Sequence, residues 1–349
     1  MALSRRAALA FLLTSACRQA QTPDGALRRG CEYLWREQSE DGGWHSRTYG
    51  LLKSGQSLTP FVLNALLLCR STSGGVDRAI GFLRRNTNGE GAAGKMDPLL
   101  YDYPNYASAL SILALRRCGG HSLEQRVAWL RTQQFSEVHG WSRHDPAYGA
   151  WGIGGEPRVA PDPGHVDLSM TRHVLQALSA AGVPASDPVF ARARVFVERC
   201  QNPDGGFFFS TVVLDANKAG QEGTGYRSYG TATADGILAL LAMGAAPDSD
   251  RVRAARRWLA AHDRPDGAPG FIGPAYQRWT AGLRFYYAAT SAAAAGRCTP
   301  AQAASLISSQ RVDGSWRNGE NLVKEDDPLI ATGFAVMTLA TPPSLPVAR

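Results

Sequence analysis

The chain has 349 residues, is 44% hydrophobic and sets 37 Lys and Arg against 30 Asp and Glu, for a net charge of +7. This is the composition of a globular protein with one large core or two ordinary ones, and it excludes a disordered or fibrous chain. The charges are interspersed without a long run of one sign, so nucleic acid is not an expected partner.

The first segment, MALSRRAALAFLLTSACRQAQ, has a charged start, an apolar run from Ala7 to Leu13 and small residues before Cys17. This is the layout of an export signal, and the run is too short for a permanent membrane helix. Arg5 and Arg6 before the apolar stretch resemble a twin-arginine signal. LTSAC resembles a lipobox with Thr14 at an unusual position, which makes Cys17 the candidate lipidated residue. Residues 1–22 are therefore read as a signal, and the protein as exported, periplasmic or cell-envelope, held at the membrane by a lipid anchor. The remaining cysteines, Cys31, Cys69, Cys118, Cys200 and Cys298, form no CxxC and no metal-like spacing, so they point to no metal site. Export would permit one or two disulfides among them.

From residue 23 to about 345 the chain reads as a single domain of six repeats. Each pairs an amphipathic helix with a Gly- and Asp-rich turn, a loop and an apolar helix rich in Ala and Leu. The first runs from Gly25 through DGGW to LTPFVLNALLLC, and the second from VDRAIGFLRR to YASALSILALRRCGG. The third begins HSLEQRVAWLRTQQ, turns at HGW (His139 to Trp141) and ends SMTRHVLQALSAAG. The fourth has PVFARARVFVERCQ, DGGF and TATADGILALLAMG; the fifth RVRAARRWLAAH, DGAPGF and LRFYYAATSAAAAG; the sixth AQAASLISSQ, DGSW and IATGFAVMTLA. The first helix of each unit has one charged face and reads as outer, whereas the second is nearly charge free and reads as inner. Six of each can close into a double-walled ring, which covers the apolar end units as an open array would not.

The turn recurs as QSEDGGW from Gln38, QNPDGGF from Gln201 and QRVDGSW from Gln310. A glycine past a helix takes the left-handed conformation that ends it, and the aspartate accepts backbone N–H groups of the turn. The terminal aromatic offers a face to the glutamine amide, so the motif reads as a structural staple. With its flanking helices it resembles the repeat of squalene and oxidosqualene cyclases, other class II terpenoid cyclases and the β subunits of protein prenyltransferases, over roughly Gly25 to Leu339. The resemblance implies an all-α fold, an α6/α6 toroid of six inner and six outer helices, with a central cavity that in those enzymes holds an isoprenoid chain.

Aligning the inner helices puts a hydroxyl at one register in five units, Thr59, Ser108, Thr171, Thr233 and Thr332, with Phe285 in the fifth. Such residues bond a carbonyl one turn back and let helices approach. The starts of the inner helices would ring one mouth of the cavity, and they are polar and aromatic. Tyr103, Asn105, Tyr106, His165, Tyr226, Arg227, Tyr229, Arg278 and Trp279 are the candidate ligand-binding residues there, and Asp167, Asp326 and Asp327 the candidate acids. Helix N-termini favour anions at such a mouth.

Class II cyclases protonate an alkene or epoxide through a D-x-D-D motif, in which neighbouring carboxylates and burial keep one Asp acidic. The frame that resembles it, Asp167 to Thr171, keeps the first Asp and the Thr but has Ser169 and Met170 in place of the other two acids. The D-x-C of a zinc prenyltransferase is absent, as is a GCGEQ thioester motif. Long loops at Ser142 to Gly164 and Phe208 to Ser228 read as lids. Two functions follow from the resemblance: binding of an apolar, isoprenoid-like molecule, or acid-initiated cyclase chemistry using Asp167 or the Asp326 and Asp327 pair. A non-catalytic scaffold for an unspecified protein partner is the third reading.

Overall fold

The computed structural model describes residues 22–97, 99–120 and 123–342; Cys17 and the signal reading lie outside them. Thirteen α-helices follow one another among the described residues. They are α1 (Pro23–Arg36), α2 (Leu58–Leu68), α3 (Gly75–Arg85), α4 (Pro104–Arg117), α5 (Glu124–Thr132), α6 (Leu168–Ala180), α7 (Pro188–Arg199), α8 (Gly230–Ala242), α9 (Asp250–His262), α10 (Gln277–Gly282), α11 (Arg284–Ala295), α12 (Pro300–Ser309) and α13 (Pro328–Ala340). A hairpin of two residues per strand, β1 (Gln221–Glu222) and β2 (Gly225–Tyr226), lies in the loop before α8.

Local chemistry sets the helix starts. Thr22 caps α1, Asp187 caps α7, and Thr299 with Gln302 forms a capping box on α12, each followed by proline at the first helical position. The even members from α2 to α8, with α11 and α13, are the apolar ones. In α8 every residue from Gly230 to Leu240 is buried. Outer helices bury one stripe, such as Ala79, Phe82 and Leu83 of α3, and leave Arg84 and Arg85 outside. Among the described residues α2 packs on α4, α4 on α6, α6 on α8, α8 on α11, α11 on α13 and α13 back on α2. The chain is thus a helical toroid, with α1 lying against both α2 and α13 at the seam. The seam is tight: a Cβ on Gly333 would stand 2.4 Å from the Phe61 ring.

The repeated turn joins the two walls. Gly42, Gly205 and Gly314 share φ +90°, which a residue with a Cβ rarely adopts. The hydroxyl register meets the end of this turn. Trp44 N donates to Thr59 Oγ1 (3.0 Å), Ala93 N to Ser108 Oγ (2.9 Å), Trp151 N to Thr171 Oγ1 (3.1 Å), Phe207 N to Thr233 Oγ1 (3.0 Å) and Trp316 N to Thr332 Oγ1 (3.0 Å). The expected bond to the carbonyl one turn back is made as well by Thr171 and Thr233. The indole N–H of Trp44, Trp151 and Trp316 then donates to the outer helix, at Leu34 O, Leu130 O and Leu306 O.

Each motif glutamine straps its unit to the next. Gln38 donates to Gly42 O and Gly75 O, Gln201 to Gly205 O and Arg251 O, and Gln310 to Gly314 O and Ala26 O, the last across the seam. In the third unit this pattern corrects the sequence reading. The strap is Gln134, bonded to Gly149 O and Val189 O, and the stapling aromatic is Trp151. HGW lies inside an insertion within the motif, where Trp141 packs on Phe135 (ring centroids 5.1 Å) and donates to Arg158 O.

Candidate functional site

The inner helices carry few charges, so the exceptions mark the interior. Arg172 of α6 is 7% exposed and Asp235 of α8 is 1% exposed. Arg172 Nε donates to Asp235 Oδ1 at 3.0 Å, and Tyr286 of α11 donates its hydroxyl toward Oδ1 (2.9 Å) and Oδ2 (2.8 Å). The remaining Arg172 nitrogens reach Gln176 Oε1 (2.9 Å) and the Tyr286 hydroxyl (3.0 Å). Ser169 Oγ stands 2.6 Å from the Tyr286 hydroxyl and 2.7 Å from that of Tyr106 on α4. Because α8 lies between α6 and α11 in the ring, the Ser169 to Tyr286 bond crosses the interior. His173 Nδ1 closes the set on Ser169 O (2.8 Å), its ring against Tyr106.

Burial governs the ionisation of this cluster. It pushes the Tyr106 and Tyr286 phenols above their ordinary range, and with the Arg172 charge it holds His173 well below the usual imidazole value. It also raises the Asp235 carboxyl against the opposing pull of Arg172 and Tyr286. Arg172 goes up despite burial, because Tyr286, Asp235 and Tyr106 favour its charge. A carboxylate that accepts from an arginine and a tyrosine is an ion-pair partner, and such a pair works against proton donation.

Half-buried Phe334 on α13 adjoins the cluster, with half-buried Phe61 of α2 behind it. Phe334 touches both Phe61 (4.9 Å between centroids) and Tyr286 (5.2 Å). From the loop before α8, Lys218 lies with its Nζ 3.7 Å from the Phe209 ring centroid and 5.6 Å from that of Trp279. Its Nζ donates to Ala216 O at 3.3 Å, and burial brings its pKa down to about 8. Glu325, fully buried before α13, accepts from the backbone N–H groups of Phe285 (3.0 Å) and Tyr286 (2.8 Å) and from Asn318 Nδ2. It therefore caps α11 from the next unit, and burial raises its pKa to about 7.

The structure gathers some of the residues expected at the mouth and disperses others. Tyr106 belongs to the cluster, Trp279 flanks Lys218, and Tyr103 meets Tyr106 edge-on and accepts from Lys324 Nζ at 3.2 Å. Asp167 caps α6 through Met170 N (2.7 Å), with His165 Nε2 2.9 Å from its other oxygen. Asn105 is buried; its Nδ2 donates to Gly152 O, and it lines a cleft of about 70 Å³ with His165, Gln133 and Arg158. Tyr229 is buried against Phe271. Tyr226 packs on Phe208, Arg227 pairs with Glu222 on the hairpin, and exposed Arg278 pairs with Glu320, all apart from the cluster. The acid pair sits at the seam. Asp327 caps α13 and accepts from Ser46 Oγ at 2.5 Å, while Asp326 accepts from the Tyr49 hydroxyl.

Arg172, His173, Asp235, Tyr286, Lys218 and Glu325 were not among the expected site residues. A charge inside an otherwise apolar inner helix, as in SMTRHVLQ and TATADGILAL, was the signal for two of them.

Residues 160–323 match the family model of the squalene-hopene cyclase C-terminal domain. The structure aligns with a type II terpene cyclase, MstE from Scytonema, at a TM-score of 0.58 and 13% identity, covering 91% of this chain and 97% of that one. Over residues 160–323 the chain is similar to the squalene-hopene cyclase C-terminal domain. A point variant of MstE, in complex with geranylgeranyl dihydroxybenzoate as substrate, aligns over 91% of this chain and 96% of that one, with TM-score 0.57 and 15% identity. A D-mannose isomerase also aligns, at TM-score 0.54 and 12% identity over 93% of this chain and 99% of that one. At such identities the likeness speaks for the fold alone, and one fold serves different chemistries. No curated protein matches the sequence.

Proposed function

We propose that this cyclase-like toroid binds an apolar, isoprenoid-like molecule in its ring interior, with the molecule's polar end met by Tyr106, Ser169, Asp235 and Tyr286. The observation that carries this reading is the joining of a hydrogen-bonded polar cluster from four inner helices to the half-buried aromatics Phe334 of α13 and Phe61 of α2. Apolar lining with a few convergent polar groups is how a small-molecule site is built. Burying such a chain contributes about 25 cal/mol per Å², and the faces of Tyr106, Tyr286 and Phe334 suit alkene contact. The isoprenoid-like substrate and product, geranylgeranyl dihydroxybenzoate and merosterolic acid A, held by MstE variants support the ligand class.

Acid-initiated cyclisation is the second reading, and one observation favours keeping it. Ser169, at the place of the motif's middle acid in the resembling frame, is linked through Tyr286 to Asp235. The Arg172 pairing of Asp235 and the helix-capping bonds of Asp167 and Asp327 weigh toward binding. Export and lipidation at Cys17 belong to the same proposal; among the described residues no helix is long and apolar enough to cross a membrane. The test incubates the purified chain with isoprenoid alcohols, diphosphates and polyprenes and analyses what is retained or converted by mass spectrometry. Retention of an unconverted isoprenoid supports binding, a cyclised product supports the second reading, and neither retention nor conversion overturns both.

A further inference from the structure

The first outer helix carries Cys31 on its buried side, and α2 ends at Cys69. The two Sγ atoms stand 2.8 Å apart, and both residues are free thiols. Unbonded sulfurs do not rest that close, whereas a sulfur–sulfur bond is about 2.05 Å long, so the pair is one small inward shift from bonding. Their surroundings hold them in place. Cys31 packs in a cluster with Leu34, Val62 and Leu66, and Trp35 Nε1 donates to Ser71 Oγ at 2.9 Å just beyond Cys69. Among the described cysteines no other pair makes a sulfur–sulfur contact.

We infer that Cys31 and Cys69 are an oxidative cross-linking site, forming a disulfide between outer and inner helix of the first unit when the protein meets a disulfide-bearing oxidant such as glutathione disulfide. The exchange has two steps. Cys69, half-buried where Cys31 is buried, loses its proton and attacks the oxidant's sulfur–sulfur bond; a mixed disulfide forms and one thiolate leaves. Cys31 then loses its proton and attacks Cys69 Sγ, forming the internal bond and expelling the second thiolate. Two protein thiols are oxidised, one disulfide is reduced to two thiols, and the two protons pass to the departing thiolates. The hydrogen bond from Cys31 pulls the Cys69 thiol below its ordinary value, which agrees with this order of attack.

The bond would join residues 38 apart and fix α1 to α2. The opposite flank of α1 makes the ring seam, where Gln310 straps Ala26 and Gly30 leaves room for the Trp316 ring. Pinning α1 therefore guards the seam against opening from the N-terminal side.

The test exposes the full chain to oxidised glutathione, unfolds it in an alkylating agent and digests it with trypsin. The expected result is a linked pair of peptides, Gly30–Arg36 with Ser54–Arg70, that separates on reduction and is absent from Cys31→Ser and Cys69→Ser. The oxidised protein should melt roughly 5 °C above the reduced one. Alkylation of both cysteines after oxidation, or a glutathione adduct that stays on Cys69 beside a free Cys31, overturns the inference. The wild-type peptide map alone decides, so a variant that fails to fold leaves the test intact. The outcome is independent of lipid binding in the ring.

Discussion

The turn that ends at Trp44, Trp151, Phe207 and Trp316 and the cluster around Asp235 are both buried, both hydrogen-bonded and both built partly from inner helices. They differ in repetition. The turn places an aromatic N–H on a helix hydroxyl in unit after unit, and its glutamine reaches the next outer helix. The cluster takes one residue from α4, three from α6, one from α8 and one from α11. Counted from the hydroxyl register, Tyr106 stands level with Ser169, Arg172 with Tyr286 and His173 with Asp235, but the residue type differs each time. A feature that recurs with the repeat answers a need that every wall has, whereas a charge buried once answers a need of the interior. In a solenoid-like architecture, departure from the repeat is the better guide to function.

Substitutions in the two regions should separate stability from binding. The largest effect is expected from Trp316→Ala, which empties a fully buried site and removes the bond to Leu306 O. It should lower unfolding free energy by roughly 3–5 kcal/mol in urea titration while the folded fraction keeps its choice of lipid. Arg172→Met should come close behind in stability, at about 3 kcal/mol or more, because it leaves Asp235 buried without its charge partner. Unlike the first, it should abolish lipid retention; the double change with Asp235→Asn should regain stability but not retention. Thr332→Val leaves the Trp316 N–H unsatisfied and should cost about 1–3 kcal/mol, with binding intact. If the turn variants change lipid selectivity and the cluster variants do not, the division is wrong.

The smallest effects are those of pH, and they carry opposite signs. Glu325 has a folded pKa of about 7 against an ordinary 4.5, so the folded state holds more protons between those values and its stability falls as pH rises through that window. Lys218, at about 8 against 10.5, binds fewer protons in the folded state, so stability rises as pH climbs from 8 toward 10.5. Melting curves should show a decline between pH 5 and 7 that is flattened in Glu325→Gln, and a gain above pH 8 that is lost in Lys218→Met. Parallel pH profiles for wild type and variants would remove these groups from the account.

The fold was legible because the turn chemistry and helix periodicity repeat. Gln38, Gln201 and Gln310 with their glycines marked three walls, and alternation of charged and apolar helices marked the rest. The third unit misled because fourteen residues, Phe135 to Tyr148, separate Gln134 from the Gly149 that it straps, and HGW inside the insertion mimics the turn. The site was legible only in part. Helix starts drew attention for their polarity; Tyr106 joins the buried cluster and Trp279 stands beside Lys218, whereas Arg227 and Arg278 end in ion pairs with Glu222 and Glu320. Asp235 and Arg172 sit four to five residues inside their helices, where only three-dimensional closure brings them to Tyr286 across the ring. Lys218 arrives on an irregular loop that no periodicity describes.

The central claim is that the unrepeated cluster, and not the repeated turn, reads a ligand in the ring. Native mass spectrometry of the wild type, Thr332→Val and Arg172→Met/Asp235→Asn, each equilibrated with the same isoprenoid mixture, tests it most directly. The account predicts one retained isoprenoid on the wild type and on Thr332→Val, and none on the cluster variant. Equal retention by all three, or none by the wild type, would contradict it.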